Sequence, residues 1–270
     1  MKSNRNGNGP AALVTGGTSG IGLETAKALR DRGCRVWTLS RRPAEIPGIV
    51  SLTADVSDEE AVGRAVSSLL EQAGEADILV NCAGFGISGA VEFTELADAK
   101  KQFDVNFFGA VNVTKALLPH MRERKSGMIV SVSSVAAPVA IPFQAYYSAA
   151  KAALNAWSAA LANEVRPYGI RVTAVQPGDI KTGFTAAREK SAVGDEVYGG
   201  RISRSVSKME RDEQSGMDPA KAGAYIASMA LKKSPPPVST IGFSYKAVCA
   251  LARILPSSLF NRIVGELYAK

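Results

Sequence analysis

The sequence predicts one α/β domain, a doubly wound parallel sheet with a helical extension at its C-terminus. Three observations carry this. Short apolar runs alternate with segments of helical spacing, the order that builds βαβ units. The first run enters its helix through Thr15-Gly16-Gly17-Thr18-Ser19-Gly20-Ile21-Gly22, a glycine-rich strand-to-helix turn. The last apolar stretch, Tyr245 to Tyr268, is interrupted by Pro256, which predicts broken helical structure there.

The elements follow in order. Ala11 to Val14 is the first strand; its helix carries Ile21, Ala28 and Leu29 and stops at Gly33. Val36 to Leu39 and Val50 to Thr53 are strands, and a helix runs through Leu70. Asp77 to Val80 is a strand leading into Asn81-Cys82-Ala83-Gly84, followed by a long helix over about 100–124. Met128 to Val132 is a strand ending in Ser133-Ser134. An alanine-rich helix carries Tyr147 to about Arg166, where Pro167 and Gly169 stop it. Ile170 to Val175 leads into Gln176-Pro177-Gly178, and Asp218-Pro219 opens a helix through about Leu231.

The bulk numbers bound the function classes. The chain has 270 residues, is 46% hydrophobic and carries a net charge of +7. That length suits one domain, residues 11–270, with no internal linker. Residues 1–10 are polar and lack an apolar core, so they read as a flexible tail, not a signal peptide. No basic run interleaved with aromatics points to nucleic acid. Cys34, Cys82 and Cys249 are scattered singly, with no metal-ligand spacing, and suit a reducing, cytoplasmic compartment. The single histidine, His120, has no Gly-x-Ser-x-Gly elbow, which argues against a Ser-His-Asp hydrolase and makes it a surface or cap residue.

The glycine turn has a physical purpose. Its chain adopts conformations a Cβ obstructs, its backbone approaches a pyrophosphate closely, and the helix behind it directs N–H groups at the phosphates. A Rossmann-type dinucleotide site follows. The second strand ends in Ser40-Arg41-Arg42, where an NAD-binding chain usually carries an acid for the ribose 2′-hydroxyl. Two guanidinium groups suit a 2′-phosphate instead, so the expected cofactor is NADP(H).

Tyr147 and Lys151 stand four residues apart, on one face of their helix. A cation held beside a phenol stabilises the phenolate and brings its pKa toward neutrality, as proton transfer requires.

Thr15-Gly16-x-x-x-Gly20-Ile21-Gly22, Asn81-x-Ala83-Gly84, Asn106, Ser134, Tyr147-x-x-x-Lys151 and Pro177-Gly178 occur in this order. Over about residues 11–230 the set resembles the short-chain dehydrogenase/reductase family. The tail is more similar to the hydroxysteroid and retinol dehydrogenase branch than to the ketoacyl reductases. In the family the serine stands thirteen residues before the tyrosine, which selects Ser134 over Ser131 and Ser133. The resemblance implies a hydride transfer between nicotinamide and a carbonyl, or a primary or secondary alcohol. Tyr147 acts as general acid/base and Lys151 lowers its pKa and binds the nicotinamide ribose. Ser134 bonds the substrate oxygen, and Asn106 holds a water that links the lysine to solvent. Gly16, Ser19, Gly20, Ile21 and Gly22 wrap the pyrophosphate. Asp55 and Val56 meet the adenine, Asn81, Ala83 and Gly84 line the adenosine and ribose path, and Pro177, Gly178, Ile180 and Thr182 cradle the nicotinamide amide. Cys82 departs from the second asparagine of many members and reads as a buried structural thiol.

The substrate end is less defined. Residues 183–217 are polar and glycine-containing without clear periodicity, and their place suggests a substrate lid. Residues 234–270 read as a cap over an apolar pocket, as a basic amphipathic segment on a membrane, or as helices completing the core. The small face of the tyrosine helix implies, by resemblance, a homodimer or homotetramer. The expected substrate is lipophilic, steroid- or retinoid-like; the alternatives are a 3-oxoacyl reductase of lipid metabolism and a non-catalytic NADP-sensing protein.

Overall fold

The computed structural model describes residues 9–270. The elements are β1 (Ala11–Thr15), α1 (Gly20–Arg30), β2 (Arg35–Ser40), β3 (Ile49–Thr53), α2 (Glu59–Ala73), β4 (Ile78–Asn81), β5 (Ile87–Ser88), α3 (Leu96–Phe103), α4 (Gly109–Glu123) and β6 (Gly127–Val132). There follow α5 (Ala145–Val165), β7 (Ile170–Gln176), α6 (Phe184–Ala187), β8 (Glu189–Lys190), α7 (Arg201–Gln214), α8 (Pro219–Ala230), β9 (Val238–Thr240), α9 (Phe243–Ile254) and α10 (Ser257–Tyr268). Most of the expected tail, residues 1–8, lies outside the described residues; Pro10 accepts a 2.9 Å bond from the Arg35 N–H of β2.

The expected doubly wound parallel sheet is present. Seven parallel strands run in the order β3-β2-β1-β4-β6-β7-β9. Their side chains alternate between two buried layers. Leu13, Leu79 and Ile129 pack against α2, α4 and α5; Val14, Val80 and Val130 pack against α1 and α8. That alternation is the period-two signature of strands covered on both faces. Gly223 brings α8 onto α1: a Cβ there would lie 2.5 Å from the Glu24 carbonyl carbon.

Strand order reverses between β1 and β4, and ligands of such sheets bind at the carboxyl ends of the strands beside that switch. Two elements differ from the expectation. The helix expected over about 100–124 is α3 and α4 joined by a π-helical turn, Asp104–Phe108, that contains buried Asn106. Such insertions occur frequently at functional sites. Residues 183–217 contain α7, whose buried Ile202, Ser205, Val206 and Met209 form a single stripe. Charged and polar residues fill the rest of that helix, so the short stripe is hidden in the sequence.

Candidate active site

The glycine turn closes the switch point. Gly16 and Gly20 hold φ of +63° and +51°, the left-handed region that favours glycine. A Cβ on Gly16 would sit 2.9 Å from the Cα of Ala83, and one on Gly22 would sit 2.2 Å from the Gly16 carbonyl oxygen. Thr15 Oγ1 fastens the two strand ends, accepting from the Cys82 and Ala83 N–H groups at 3.0 Å each. That role was missed in the sequence; a threonine closing an apolar strand is its only local sign. The Gly16 N–H bonds the Leu39 carbonyl at 2.8 Å, tying the turn to β2. No side chain caps α1, and its first turn carries no acid. Its N-terminal donors and positive dipole end are therefore open to an anion. A backbone cradle with no room for side chains and an uncapped helix behind it fit a dinucleotide pyrophosphate.

The tyrosine helix meets the ends of β6 and β4. Lys151, buried, donates a 2.9 Å bond to the Val132 carbonyl, and its ammonium lies 5.7 Å from the centre of the Tyr147 ring. The three serines separate by partner. Ser131 accepts a 2.9 Å bond from Ser158, and Ser133 donates a 3.1 Å bond to the Lys151 carbonyl, so both fasten α5. Ser134 lines the cavity and hydrogen-bonds Tyr147. Phe184 of α6 sets its ring 5.8 Å from that of Tyr147. Asn106 exchanges two bonds with the Phe85 backbone, 2.9 Å from its N–H and 2.8 Å to its carbonyl. Its side chain thereby fixes the loop after β4 beside Lys151.

Burial decides the protonation states. It pushes Tyr147 up to about 12, against the bond from Ser134 that favours the phenolate. Burial also pulls Lys151 down to about 8. An unfolded lysine holds its proton to higher pH than this one, so the folded state is penalised most below about pH 8 and the penalty is relieved as pH rises toward the ordinary lysine value. Wild-type stability is expected to gain roughly 3 kcal/mol from this group across that window. Lys151→Met should lack this gain, and denaturant titrations at pH 7.5 and 10 would expose the difference; parallel pH dependences in the two proteins would contradict it.

One cavity of about 600 Å³ gathers most of the expected residues. Gly16 and Ser19 to Gly22 line one end, with Ala83 and Gly84 beside them; Ser134, Tyr147 and Lys151 stand further in, with Pro177, Gly178, Ile180 and Thr182. The others lie elsewhere. Asn81 is buried behind the wall and donates to Thr114 at 3.1 Å. Val56 is buried under Gly109 of α4, while Asp55 folds onto Ser57, accepting bonds of 3.0 and 2.7 Å. Burial raises the Asp55 carboxyl, but the Ser57 bonds and the Arg41 charge outweigh it and hold it below its ordinary value. Arg41 and Arg42 are exposed beyond the end of β2. Cys82 is half-buried and lines the cavity instead of being sealed in the core; burial pushes its thiol up to about 11, so it stays protonated at neutral pH. His120 accepts a 3.3 Å bond from the Ala76 N–H, far from this site in the fold.

The far wall comes from the C-terminus. Val248, Leu251 and Leu255 of the α9 segment and Phe260, Ile263 and Leu267 of α10 line it together. Tyr245 lies over Gly178, so that a Cβ there would be 2.3 Å from its ring, and its hydroxyl donates a 2.6 Å bond to Asp179. Glu213 of α7 also lines the cavity and is paired with the fully buried Arg188; Thr185 donates to it at 2.6 Å. The lid and cap segments were expected from the sequence, but the Tyr245–Asp179 bond and the Arg188–Glu213 pair carried no local sign in it.

A family model described as short chain dehydrogenase matches residues 10–192. The chain therefore belongs to the short-chain dehydrogenase/reductase family, and is an oxidoreductase of the nicotinamide-dependent kind. Among its relatives is the 3-ketodihydrosphingosine reductase of Bacteroides thetaiotaomicron, 38% identical over 261 residues, covering 95% of this chain and 97% of that protein. A short-chain dehydrogenase from Streptomyces avermitilis has a similar solved structure, with a TM-score of 0.81 at 29% identity over 98% of this chain and 96% of that one. The 3-ketoacyl-(acyl-carrier-protein) reductase of Brucella melitensis, solved with NADH, gives a TM-score of 0.73 at 27% identity, over 87% of this chain and 97% of that one.

Proposed function

We propose that this protein reduces the ketone of a long-chain lipid at the expense of NADPH. The observation that carries the reading is the continuity of one cavity from Ser134, Tyr147 and Lys151 to the aliphatic wall of α9 and α10. The Bacteroides relative, named for a long-chain ketone, supports it.

The chain's own residues divide the work. The uncapped start of α1 and the glycine turn bind the pyrophosphate, and Arg41 with Arg42 binds the 2′-phosphate. Asp55 and Val56 stand for the adenine, Asn81 holds α4 behind the adenosine path, and Ile180 and Thr182 stand at the nicotinamide. The nicotinamide, when bound, supplies the hydride. Ser134 directs the carbonyl oxygen at Tyr147, whose phenol gives the proton. A protonated phenol is the form that reduction needs, and an alkoxide is far more basic than a phenolate, so the transfer runs downhill.

The tail reads as a cap whose rim meets a membrane. Phe243 is 90% and Ile254 78% exposed, and Lys246, Arg253 and Arg262 lie among them. An apolar rim with basic flanks suits an anionic lipid surface as the source of substrate. Among the described residues no helix is long and apolar enough to cross a bilayer. Ala149, Ala156, Ala159 and Ala160 expose a small face on α5, which we assign to a subunit contact in a homodimer or homotetramer.

The test follows NADPH absorbance with a long-chain 3-ketone, a steroid ketone, retinal and a short 3-oxoacyl thioester. The long-chain ketone is expected to exceed the others in kcat/KM by about tenfold or more, as aliphatic burial favours it. Preference for the steroid, retinal or thioester would replace this reading with that of the sequence or its alternative. Absence of turnover with all four would favour the sensing protein, against the intact Ser134, Tyr147 and Lys151 arrangement.

A further inference from the structure

We propose that Asp179 receives an ammonium group of the substrate, so that the protein selects a long-chain 2-amino-3-ketone over the same ketone without nitrogen. This rests on the long-chain ketone reading above and deepens it.

Three charged side chains line the catalytic cavity among the described residues: Lys151, Asp179 and Glu213. Lys151 is engaged with Val132 beside the tyrosine. Glu213 is neutralised by Arg188, whose side chain is fully buried. Asp179 has no cation within ion-pairing distance among the described residues; its side-chain partner is the neutral hydroxyl of Tyr245, at 2.6 Å. Lys208 acts on it only through space, is paired at 3.1 Å with Asp212, and does not line this cavity. A carboxylate in such a place lacks the compensation that buried charges ordinarily have.

The surroundings fit a cation that carries a hydrocarbon chain. Tyr245 and Tyr268 line the same cavity and supply aromatic walls of the kind that attract ammonium groups. Leu251, Leu255, Ile263 and Leu267 continue the wall with aliphatic surface. Asp179 directly follows Gly178, in the segment that meets the nicotinamide in the proposed function, so an ammonium bound there would belong to a carbon near the reacting carbonyl. A 2-amino-3-ketone places its charge beside the carbonyl and its chain beyond it. Burial also lifts the Asp179 carboxyl above its ordinary value, against the Tyr245 bond, which is the charge deficit an ammonium would fill.

The experiment compares kcat/KM for a long-chain 2-amino-3-ketone and its deamino analogue, in wild type and in Asp179→Asn. Asparagine keeps an acceptor for Tyr245 and removes the charge. The amino to deamino ratio cancels losses in folding, cofactor binding or chemistry. Wild type is expected to favour the amino ketone by about 10- to 100-fold, the usual range for a bond to a charged group, and Asp179→Asn to lose most of that preference. A second measurement needs no variant: a long-chain 2-amino-1,3-diol should inhibit wild type at least about tenfold more strongly than the diol without nitrogen. Equal reduction of both ketones, an unchanged ratio in Asp179→Asn, or equal inhibition would overturn the ammonium site while leaving the ketone reading in place. Reduction of neither ketone would overturn both.

Discussion

Tyr147→Phe is expected to lower turnover by about a thousandfold while NADPH still binds, because only the transferable proton is removed. Phenylalanine preserves the ring that packs 5.8 Å from Phe184 and the volume enclosed beside Lys151. The change therefore separates proton donation from packing. Residual activity should come from positioning at Ser134 and from water as a poor substitute donor. Single-turnover NADPH oxidation, with cofactor binding followed by fluorescence, measures the two quantities apart. A variant that oxidises NADPH as fast as wild type would remove Tyr147 from the mechanism.

Arg41→Asp is expected to lower kcat/KM for NADPH by about 100-fold, with little loss for NADH. Two effects add. The guanidinium bonds to the 2′-phosphate are lost, and a carboxylate then faces that phosphate. Arg41 is exposed, so the effect should weaken as salt is raised. Arg41 adds to the Ser57 bonds that favour the charged form of the neighbouring Asp55, and the aspartate variant would crowd that carboxylate as well. Steady-state kinetics with both cofactors at two salt concentrations are the check. An unchanged preference would assign the 2′-phosphate to other residues or return the cofactor to NAD(H).

What the sequence revealed depended on how local each signal was. The strands were legible because both faces of a parallel sheet are buried, so Leu13 and Val14 are apolar although they point in opposite directions. The tyrosine and lysine were legible because their spacing is a property of one helix. Ser134 was separable from Ser131 and Ser133 only by family spacing, and the structure gives a physical distinction, since both competitors are spent on α5. Thr15, Asp179 and Tyr245 were not legible. Their roles come from partners 68, 66 and 66 residues away for the Thr15–Ala83, Asp179–Tyr245 and Tyr245–Asp179 bonds, beyond the reach of any short motif. Helix α7 was hidden for a different reason: four buried positions are diluted among charged residues on its outer face.

The ring of Tyr245 resting on Gly178 has a thermodynamic consequence. Gly178 belongs to the loop proposed for the nicotinamide, and Tyr245 to the helix proposed to wall the lipid space. No spacer separates the two, so the proposed cofactor and lipid would share a wall. Affinities at the two sites are then linked, and linkage is reciprocal: whatever factor the cofactor lends to lipid binding, the lipid returns to the cofactor.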